Sequence, residues 1–414
     1  MTYQECLAGI HSRKVFSSHA SLERIGRLMA RLGNPQNNLR CIHVAGTNGK
    51  GSVCALVDSA LRAAGYRVGL FTSPYLVEFC ERIRVNFQPV SQKMLISAYE
   101  TVMREESALE TAGFEPVNEF ELVTALGFLI FDRMQVDYAI IEVGLGGRWD
   151  ATNIIQAPEV VCITPVSLDH TAVLGDTIAE IAWEKAGIIK KGCPVVVAPQ
   201  HADALEILCH TAQTQCASLI LVGLPKLLSY QTSGIQFRYD NTDITIPLLG
   251  RHQMHNTAAA WEVCKLLQLP PDQVASGFSM VAWPGRLQYF EGNPDILIDA
   301  GHNPAGILAL CNSLDELFPG RGIITIMAMM RDKDYAHCIP LVANRSQVLI
   351  ATTVSLPRSL PPEELAAEAE GFCTVLTAPS ISAGIEHARA LAKQGQLILV
   401  CGSVYAAGEA QKTI

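Results

Sequence analysis

The sequence predicts an α/β protein of two domains, each built on a mostly parallel sheet with helices on both faces. Short apolar strands alternate with segments of helical apolar spacing along most of the chain, as in parallel sheets. The 414 residues exceed what one hydrophobic core usually organises, so two domains are expected. Hydrophobic residues make up 49% and charged residues 17%, a balance typical of buried parallel strands.

Composition excludes several classes of protein. The formal charge of −9 argues against nucleic acid as the main partner. No apolar run approaches the roughly 20 residues that a membrane span needs, and residues 1–30 lack an apolar signal core. The thirteen cysteines include no CxxC pair, and Cys54, Cys162 and Cys401 lie among apolar residues. We therefore expect a soluble, cytoplasmic protein with reduced cysteines.

The first domain is predicted to form a large sheet of the phosphate-loop type. Its strands are expected at residues 41–45, 68–72, 138–143, 160–164 and 194–198, and its helices at 53–64, 120–134 and 177–189. Residues 218–222, 234–239 and 243–247 alternate like antiparallel strands, which predicts a small β-addition before a helix at 255–267. Ligands of such parallel sheets bind at the carboxyl ends of the strands.

A second, smaller Rossmann-like α/β domain is predicted to follow. Turn-rich residues 291–294 indicate the boundary, giving a first domain at 1–292 and a second at 295–414. Strands are expected at 296–299, 322–327, 347–352, 374–376 and 396–400, with helices at 305–317 and 362–370.

The strongest local signal is residues 43–52, which read HVAGTNGKGS between a predicted strand and a predicted helix. Gly49 and Gly51 flank Lys50, so N–H groups at a helix start can surround an anion. Lys50 adds positive charge, and Ser52 offers a hydroxyl for magnesium. The run departs from the general phosphate-loop pattern, because a valine replaces the first glycine and Gly51 separates the lysine from the serine. That departure narrows the choice of nucleotide-binding family.

Three other strand ends carry polar residues toward the same edge of the predicted sheet. Glu142 precedes a glycine-rich turn, where a carboxylate can hold magnesium or simply cap the turn. Ser73 follows the second predicted strand, and Asp169 and His170 follow the fourth. A lone histidine in a turn is usually structural, but four strand ends converging on one pocket weaken that interpretation.

Together these motifs resemble those of folylpolyglutamate and dihydrofolate synthases, the folate branch of the Mur ligase superfamily. The resemblance rests on AGTNGKGS at 45–52, TSPYL at 72–76, ERIRV at 81–85, EVGLGGR at 142–148, DATN at 150–153, DHT at 169–171, EKAGIIK at 184–190, HN at 255–256, PGR at 284–286 and DAGHNP at 299–304. The motifs span nearly the whole chain. Two departures are Ala300-Gly301, where the branch more usually has Gly-Ala, and Trp149, where an aliphatic residue is more usual.

The resemblance implies a role for each matching residue. The implied ATP-binding residues are Thr47, Asn48, Gly49, Lys50, Gly51, Ser52, Asn256, Arg286, Asp299 and His302. The implied metal ligands are Ser73, Glu142 and His170, with Ser52 near the same pocket and Lys185 as a carbamate. The implied pterin-binding residues are Asn118, Glu119, Phe120, Glu121 and Trp149, and the implied catalytic residues are Lys50, His170 and Lys185. Sequence alone favours an ordinary surface helix lysine at position 185, and Phe120 and Trp149 could equally be core aromatics.

The resemblance further implies an ATP-dependent ligase that joins L-glutamate to a folate or dihydropteroate carboxylate through an acyl phosphate. ATP would be the co-substrate, with Mg²⁺, two ions being expected, and a monovalent cation as a further option. The enzyme is expected to act as a monomer on small molecules, without a nucleic acid or membrane partner. Asp332 and Lys333 keep a family motif, and Arg358 could meet a carboxylate or be a solvated loop arginine.

Two alternative functions compete with this one. A Mur-type ligase acting on another acid, such as a UDP-muramyl peptide, is disfavoured by Gly51 and by the phosphate loop lying only about 45 residues into the chain. A regulatory NTPase without ligase activity would need no second α/β domain carrying Asp299 and His302.

Overall fold

The computed structural model describes residues 1–14 and 21–414, which form two compact α/β units. The first unit comprises Met1–Leu224 and His255–Phe278, and the second comprises Pro225–Met254 and Ser279–Ile414. Each unit contains a sheet with parallel strands and packed helices, which confirms the predicted fold class. No helix in the described ranges is long and apolar enough to cross a membrane.

The first unit is built on an eight-stranded sheet, in which the three strands at one end pair antiparallel and the other neighbouring strands pair in parallel. The spatial order is β4-β3-β2-β5-β1-β6-β7-β8. The strands are β1 (Cys41–Ala45), β2 (Val68–Phe71), β3 (Ile83–Val85), β4 (Gln88–Pro89), β5 (Tyr138–Glu142), β6 (Val160–Ile163), β7 (Val195–Val197) and β8 (Leu219–Leu221). The helices are α1 (Tyr3–His11), α2 (Glu23–Arg31), α3 (Lys50–Ala63), α4 (Gln92–Thr111), α5 (Glu119–Arg133), α6 (Thr171–Leu174), α7 (Ile178–Ala186), α8 (Ala202–Thr214) and α10 (Pro271–Ser279), with α9 (His252–Leu266) entering the unit at His255.

The central strands bury both faces, which is why they read as continuous apolar runs. Every residue of β1 and β5 is buried, and the two strands pair in parallel with Val44 opposite Glu142. On its other side β1 pairs with β6, with Ala45 opposite Ile163. The carboxyl ends of β5, β1 and β6 therefore lie side by side, and the loops that follow them share one edge of the sheet.

The second unit contains a small antiparallel sheet and a larger, mainly parallel one. The small sheet comprises β9 (Lys226–Gln231), β10 (Gly234–Tyr239) and β11 (Thr242–Ile246). The larger sheet, in spatial order, comprises β12 (Gln288–Phe290), β13 (Asp295–Ile298), β17 (Leu397–Cys401), β14 (Ile323–Met327), β15 (Val348–Ala351) and β16 (Thr374–Thr377). Its helices are α11 (Pro304–Leu317), α12 (Tyr335–Ala343), α13 (Pro362–Ala369), α14 (Ile381–Leu391) and α15 (Val404–Thr413).

The structure differs from the predicted organisation in three places. Residues 291–294, predicted as the domain boundary, join β12 to β13 as an antiparallel pair within the second unit. Residues 225–254, predicted with the first domain, pack with the second unit. The segment 218–222 supplies β8, which pairs in parallel with β7 instead of joining the antiparallel addition. The alternation of apolar and polar residues along a segment predicts a strand, but it does not show which other strand pairs with it.

Candidate active site

The turn after β1 is shaped by two glycines that no larger residue can replace without displacement. Gly46 has φ +148°, and a Cβ at this position would lie 1.8 Å from the hydroxyl oxygen of Thr164. Gly49 has φ +89°, and a Cβ there would lie 2.3 Å from the side-chain oxygen of Asn256. The close fit shows that Asn256, at the start of α9, lies directly against the loop.

Thr47 and Asn48 attach the loop to the segment that follows β6. The Thr47 N–H donates to the Pro165 carbonyl at 2.9 Å. Its hydroxyl donates to the Ser167 carbonyl at 3.0 Å and accepts the Ser167 N–H at 3.1 Å. Asn48 Nδ2 donates to Ser167 Oγ at 3.3 Å. These contacts fix the loop to the segment that follows β6.

Two lysine ammonium groups meet on one loop carbonyl. Lys50 Nζ donates to the Gly46 carbonyl at 3.1 Å and to the Thr47 carbonyl at 3.2 Å. Lys185 Nζ, from the end of α7, donates to the same Gly46 carbonyl at 2.9 Å. Lys185 is 4% exposed, so it is not a surface lysine. Burial, followed by the positive charge of Lys50, lowers the pKa of Lys185 to about 7.

Glu142 and Ser73 lie together at the ends of the neighbouring strands β5 and β2. Glu142 is buried, and its Oε2 accepts the Ser73 N–H at 3.1 Å. This contact orients the carboxylate at the carboxyl edge of the sheet. A buried carboxylate beside a serine hydroxyl fits the oxygen ligands that Mg²⁺ prefers.

His170 stands at the start of α6 in a left-handed conformation, with φ +53°. Its N–H donates to Asp169 Oδ1 at 2.8 Å, and its Nε2 lies 3.8 Å from the same oxygen. The imidazole is 39% exposed, whereas the Asp169 side chain is 8% exposed. Among the described residues, no group of three or more His, Cys, Asp or Glu side chains forms a metal cluster. Of the predicted metal ligands, only Glu142 and His170 are of these residue types. The others are the hydroxyls of two serines and the side chain of a lysine.

A buried chain of hydrogen bonds supports the glycine-rich turn after β5. Asp150 Oδ2 accepts the Leu145 N–H at 2.9 Å, and its Oδ1 accepts the Thr152 N–H at 3.0 Å. The Thr152 hydroxyl lies 2.8 Å from Nε2 of His43, a buried residue of β1. Burial lowers the pKa of His43 to about 3, so its imidazole is neutral. This connection is not predictable from local sequence, since His43 and Thr152 are far apart in the chain and no local pattern pairs them.

Two of the residues implied in pterin binding cap a helix. Asn118 Oδ1 accepts the Glu121 N–H at 2.9 Å, and Glu121 Oε2 accepts the Asn118 N–H at 2.8 Å, which forms a capping box at the start of α5. Arg24 donates to both oxygens of the buried Glu121. Glu119 Oε1 lies 3.1 Å from Nδ1 of His11. Asn118 and Glu121 thus hold α5 in place.

Phe120 and Trp149 occupy different environments. Phe120 packs on the glycine-rich turn so closely that a Cβ at Gly144 would lie 2.4 Å from its ring, and its ring centroid is 6.1 Å from that of Phe71. Trp149 is 48% exposed, so it is not a core aromatic. The neighbouring Arg148 stacks on exposed Trp183, with its guanidinium carbon 3.6 Å from the ring centroid. Aromatic rings of Phe120 and Trp183 therefore contact residues of this turn.

In the second unit, Asp299 fixes the corner that carries the other predicted ATP residues. Asp299 Oδ2 accepts the Leu287 N–H at 3.0 Å, and its Oδ1 accepts the Gly301 N–H at 2.8 Å. His302 Nδ1 lies 3.0 Å from the Ala300 carbonyl oxygen. Half-buried Arg286 precedes Leu287 in the turn that Asp299 holds. Asp299, Arg286 and His302 therefore belong to one structural corner.

Arg358 belongs to a separate cluster in the second unit, formed by loops after β14 and β15. Its NH2 group donates to the Tyr405 hydroxyl at 2.9 Å, and its NH1 group lies 3.4 Å from both carboxylate oxygens of Asp332. The backbones of the two loops are joined by the Arg331 N–H, which donates to the Arg358 carbonyl at 2.9 Å. The Arg358 side chain is 52% exposed, so it is anchored by Asp332 and Tyr405 and partly open to solvent.

Comparison with known proteins assigns the chain to one family over most of its length. Residues 44–264 match the model described as the Mur ligase middle domain, and residues 285–404 match that described as the Mur ligase, glutamate ligase domain. The chain is 33% identical to the dihydrofolate synthase/folylpolyglutamate synthase of Bacillus subtilis, covering 100% of this chain and 99% of that protein. It is 36% identical to the folylpolyglutamate synthase of Lacticaseibacillus casei, with the same coverage.

Solved structures share the fold. The Mycobacterium tuberculosis folylpolyglutamate synthase complexed with ADP superposes with a TM-score of 0.91 at 33% identity, covering 99% of this chain and 97% of that chain. The E. coli FolC in complex with DHPP and ADP superposes with a TM-score of 0.90 at 27% identity, covering 100% and 97%.

Proposed function

The chain belongs to the family of folylpolyglutamate and dihydrofolate synthases, which are ATP-dependent Mur-type ligases, and we propose that it joins L-glutamate to a folate-type carboxylate. The acceptor would be tetrahydrofolate, dihydropteroate or both. The observation that carries the proposal is the meeting of Lys50 and Lys185 on the Gly46 carbonyl. This arrangement places a phosphate-binding lysine beside a buried amine of lowered pKa.

Lys50 and the first turn of α3 would bind the ATP phosphates. The N–H groups of Lys50, Gly51 and Ser52 lie in the first turn of α3, where backbone N–H groups have no acceptor within the helix and can bind an anion. Lys50 Nζ donates to two carbonyl oxygens of the loop. A bound phosphate would replace these neutral acceptors by a negatively charged one. Thr47 and Asn48 would maintain the loop conformation, and Asn256 of α9 would pack against the loop at Gly49.

Ser73, Glu142 and His170, with Ser52 beside them, would hold magnesium. Bound there, the ion would offset negative charge on the transferred phosphoryl group. Ser73 orients Glu142 through its N–H, and the buried Glu142 supplies the negative charge that a divalent cation requires. A second magnesium ion and a monovalent cation are part of the same proposal.

Lys185 would be carbamylated. A neutral amine can attack CO₂, forming an N–C bond and releasing one proton, and the product is a carboxylate. The lowered pKa of Lys185 makes the neutral amine abundant near pH 7. Carbamylation would also replace the repulsion between two ammonium groups by attraction to Lys50.

In the proposed reaction, a carboxylate oxygen of the acceptor attacks the γ-phosphorus of ATP, giving an acyl phosphate and ADP. The amine of L-glutamate then attacks the acyl carbon and phosphate leaves, which forms the amide. Lys50 and the loop N–H groups would stabilise charge on the phosphoryl group.

Phe120 and Trp149 would flank the pterin, and Asn118, Glu119 and Glu121 would shape that side of the pocket. Asp299, Arg286 and His302 are also proposed to contribute to ATP binding. We propose a cytoplasmic monomer without a nucleic acid partner.

A product assay tests the proposal. Purified protein is incubated with ATP, Mg²⁺ and L-glutamate plus either dihydropteroate or tetrahydrofolate, and ADP and glutamylated products are measured side by side. We expect ADP release that depends on the acceptor and matches amide formation. ADP release without an amide product contradicts ligase activity. Turnover of a muramyl peptide in place of both pterins would identify a ligase for another acid.

A further inference from the structure

The loop between β2 and β3, residues 72–82, is organised by the side chain of Glu81. Glu81 Oε1 accepts the N–H groups of Val77 at 3.1 Å and Glu78 at 2.9 Å, and its Oε2 accepts the N–H of Leu76 at 3.0 Å. Three consecutive backbone donors thus converge on one carboxylate, which is 16% exposed. Such a cluster replaces the partners that a helix or strand would otherwise give these donors.

Arg84 completes the surroundings of this carboxylate. Its Nε donates to the Glu81 carbonyl at 3.1 Å, and its NH2 group lies 3.4 Å from Glu81 Oε2. Arg84 is 11% exposed, and its guanidinium carbon lies 4.9 Å from the centroid of the Phe87 ring. A carboxylate has about four lone-pair positions, and here protein donors occupy them. Glu81 therefore acts on the loop and not as a ligand.

The other end of the loop is bound to the predicted metal site. The Thr72 N–H donates to the Arg82 carbonyl at 3.0 Å, which closes the base of the loop. The next N–H, that of Ser73, donates to Glu142 Oε2 at 3.1 Å. Ser73 therefore lies between the closed base of the loop and Glu142, so a change in the backbone path through residues 74–81 would shift the Ser73 backbone against Glu142.

We infer that Glu81 is a positioning residue, which fixes the loop 72–82 and thereby the Ser73–Glu142 pair that would hold magnesium. This inference rests on the proposed function for the magnesium site. The physical reason is that a carboxylate only accepts hydrogen bonds, so both of its oxygens suit N–H donors. An amide of equal size has one oxygen and one NH₂ group, which would face a donor with a donor. At least one of the three loop N–H groups would then lose its partner.

Glu81→Gln tests the inference, with Glu159→Gln as the matched control. Glu159 accepts a hydrogen bond from Arg40 Nε at 3.0 Å, so the control loses one charged contact on the surface without disturbing residues 72–82. Hydrogen exchange of the ligand-free protein reports on the Leu76, Val77 and Glu78 amides. Calorimetry of Mg²⁺ binding with a non-hydrolysable ATP analogue reports on the site, and kinetics give KM for glutamate.

We expect Glu81→Gln to speed exchange across residues 76–78 and to weaken Mg²⁺ binding about 10-fold, a typical effect of a residue that orients a ligand. The KM for glutamate should stay within about 2-fold, and the control should change neither exchange nor affinity. Unchanged exchange, or faster exchange with unchanged Mg²⁺ affinity, overturns the inference.

Glu81→Asp covers the case in which the amide variant does not fold. It keeps the charge on a shorter side chain and should shift the same two measurements in the same direction by less, whereas unchanged values overturn the inference. Absence of folate ligation by the wild-type protein would reject the proposed function, and the exchange and calorimetry would still decide the role of Glu81.

Discussion

The loop around Lys50 and the loop around Arg358 both follow parallel strands, but their basic side chains are held by different kinds of hydrogen-bond partner. Lys50 and Thr47 bind backbone groups of their own loop and of the segment after β6. Arg358 is anchored by two side chains, Asp332 and Tyr405, and half of it faces solvent. Backbone partners fix a group in position, whereas long side-chain partners allow it to turn. We therefore propose a preformed phosphate site around Lys50 and an adaptable site for a second, anionic substrate around Arg358.

Loss of Lys50 should have the largest effect. Lys50→Ala removes the mobile charge from the phosphate loop, and we expect turnover to fall by at least about 10³-fold. His170→Ala should abolish turnover as well, because it removes a proposed magnesium ligand. Acceptor-dependent ADP release is the measurement, with circular dichroism to verify the fold and Lys226→Ala on β9 as control. Near-normal turnover in either variant would refute the assigned role.

A methyl group at Gly46 should show how rigid the preformed loop is. Gly46→Ala places a Cβ 1.8 Å from the Thr164 hydroxyl, so we expect a loss of more than about 3 kcal/mol in unfolding free energy. Gly192→Ala is the matched control, since its φ is +72° and nothing lies within 4 Å of its added Cβ. The control should cost about 1 kcal/mol. Equal losses in urea unfolding would show that the loop yields to the added atom.

Truncation of Arg358 should affect one substrate only. Arg358→Ala is expected to raise KM for L-glutamate about 10-fold or more and to leave KM for ATP unchanged, since the arginine would bind a carboxylate. Arg238→Ala is the control, because Arg238 is an exposed arginine paired with Asp243 on the small sheet. If KM for glutamate does not change, Arg358 is a solvated loop arginine.

Acid should destabilise the folded protein through His43. The pKa of His43 is about 3 in the folded protein, against 6.5 when unfolded. Between these values the unfolded state binds the extra proton, so His43 lowers stability as pH falls from 6.5 toward 3. Its contribution to the slope is up to about 1.4 kcal/mol per pH unit. In chemical unfolding at several pH values, the unfolding free energy of His43→Gln should fall less steeply between pH 6.5 and 3 than that of the wild-type protein. An equally steep fall would mean that His43 is protonated in the folded protein as readily as in the unfolded one.

Much of the fold was predictable because buried parallel strands appear in the sequence as short, continuous apolar runs. The strand at 41–45 was predicted to the residue, and those at 68–72 and 138–143 differ from the structure by one residue at the carboxyl end. The predictions that failed concern partners. β8 pairs with β7, and residues 291–294 turn between paired strands, because pairing depends on residues distant in the chain.

The sequence by itself determined the class of fold, the family and the residue types of the candidate site, because each is written in short motifs and local periodicity. Only the tertiary structure decided that Lys185 is buried on the Gly46 carbonyl, that Asn118 and Glu121 cap a helix, and that Glu81 collects three N–H groups. A lysine's pKa and a carboxylate's partners depend on burial and on donors brought from other elements. Those quantities exist only once the chain is packed.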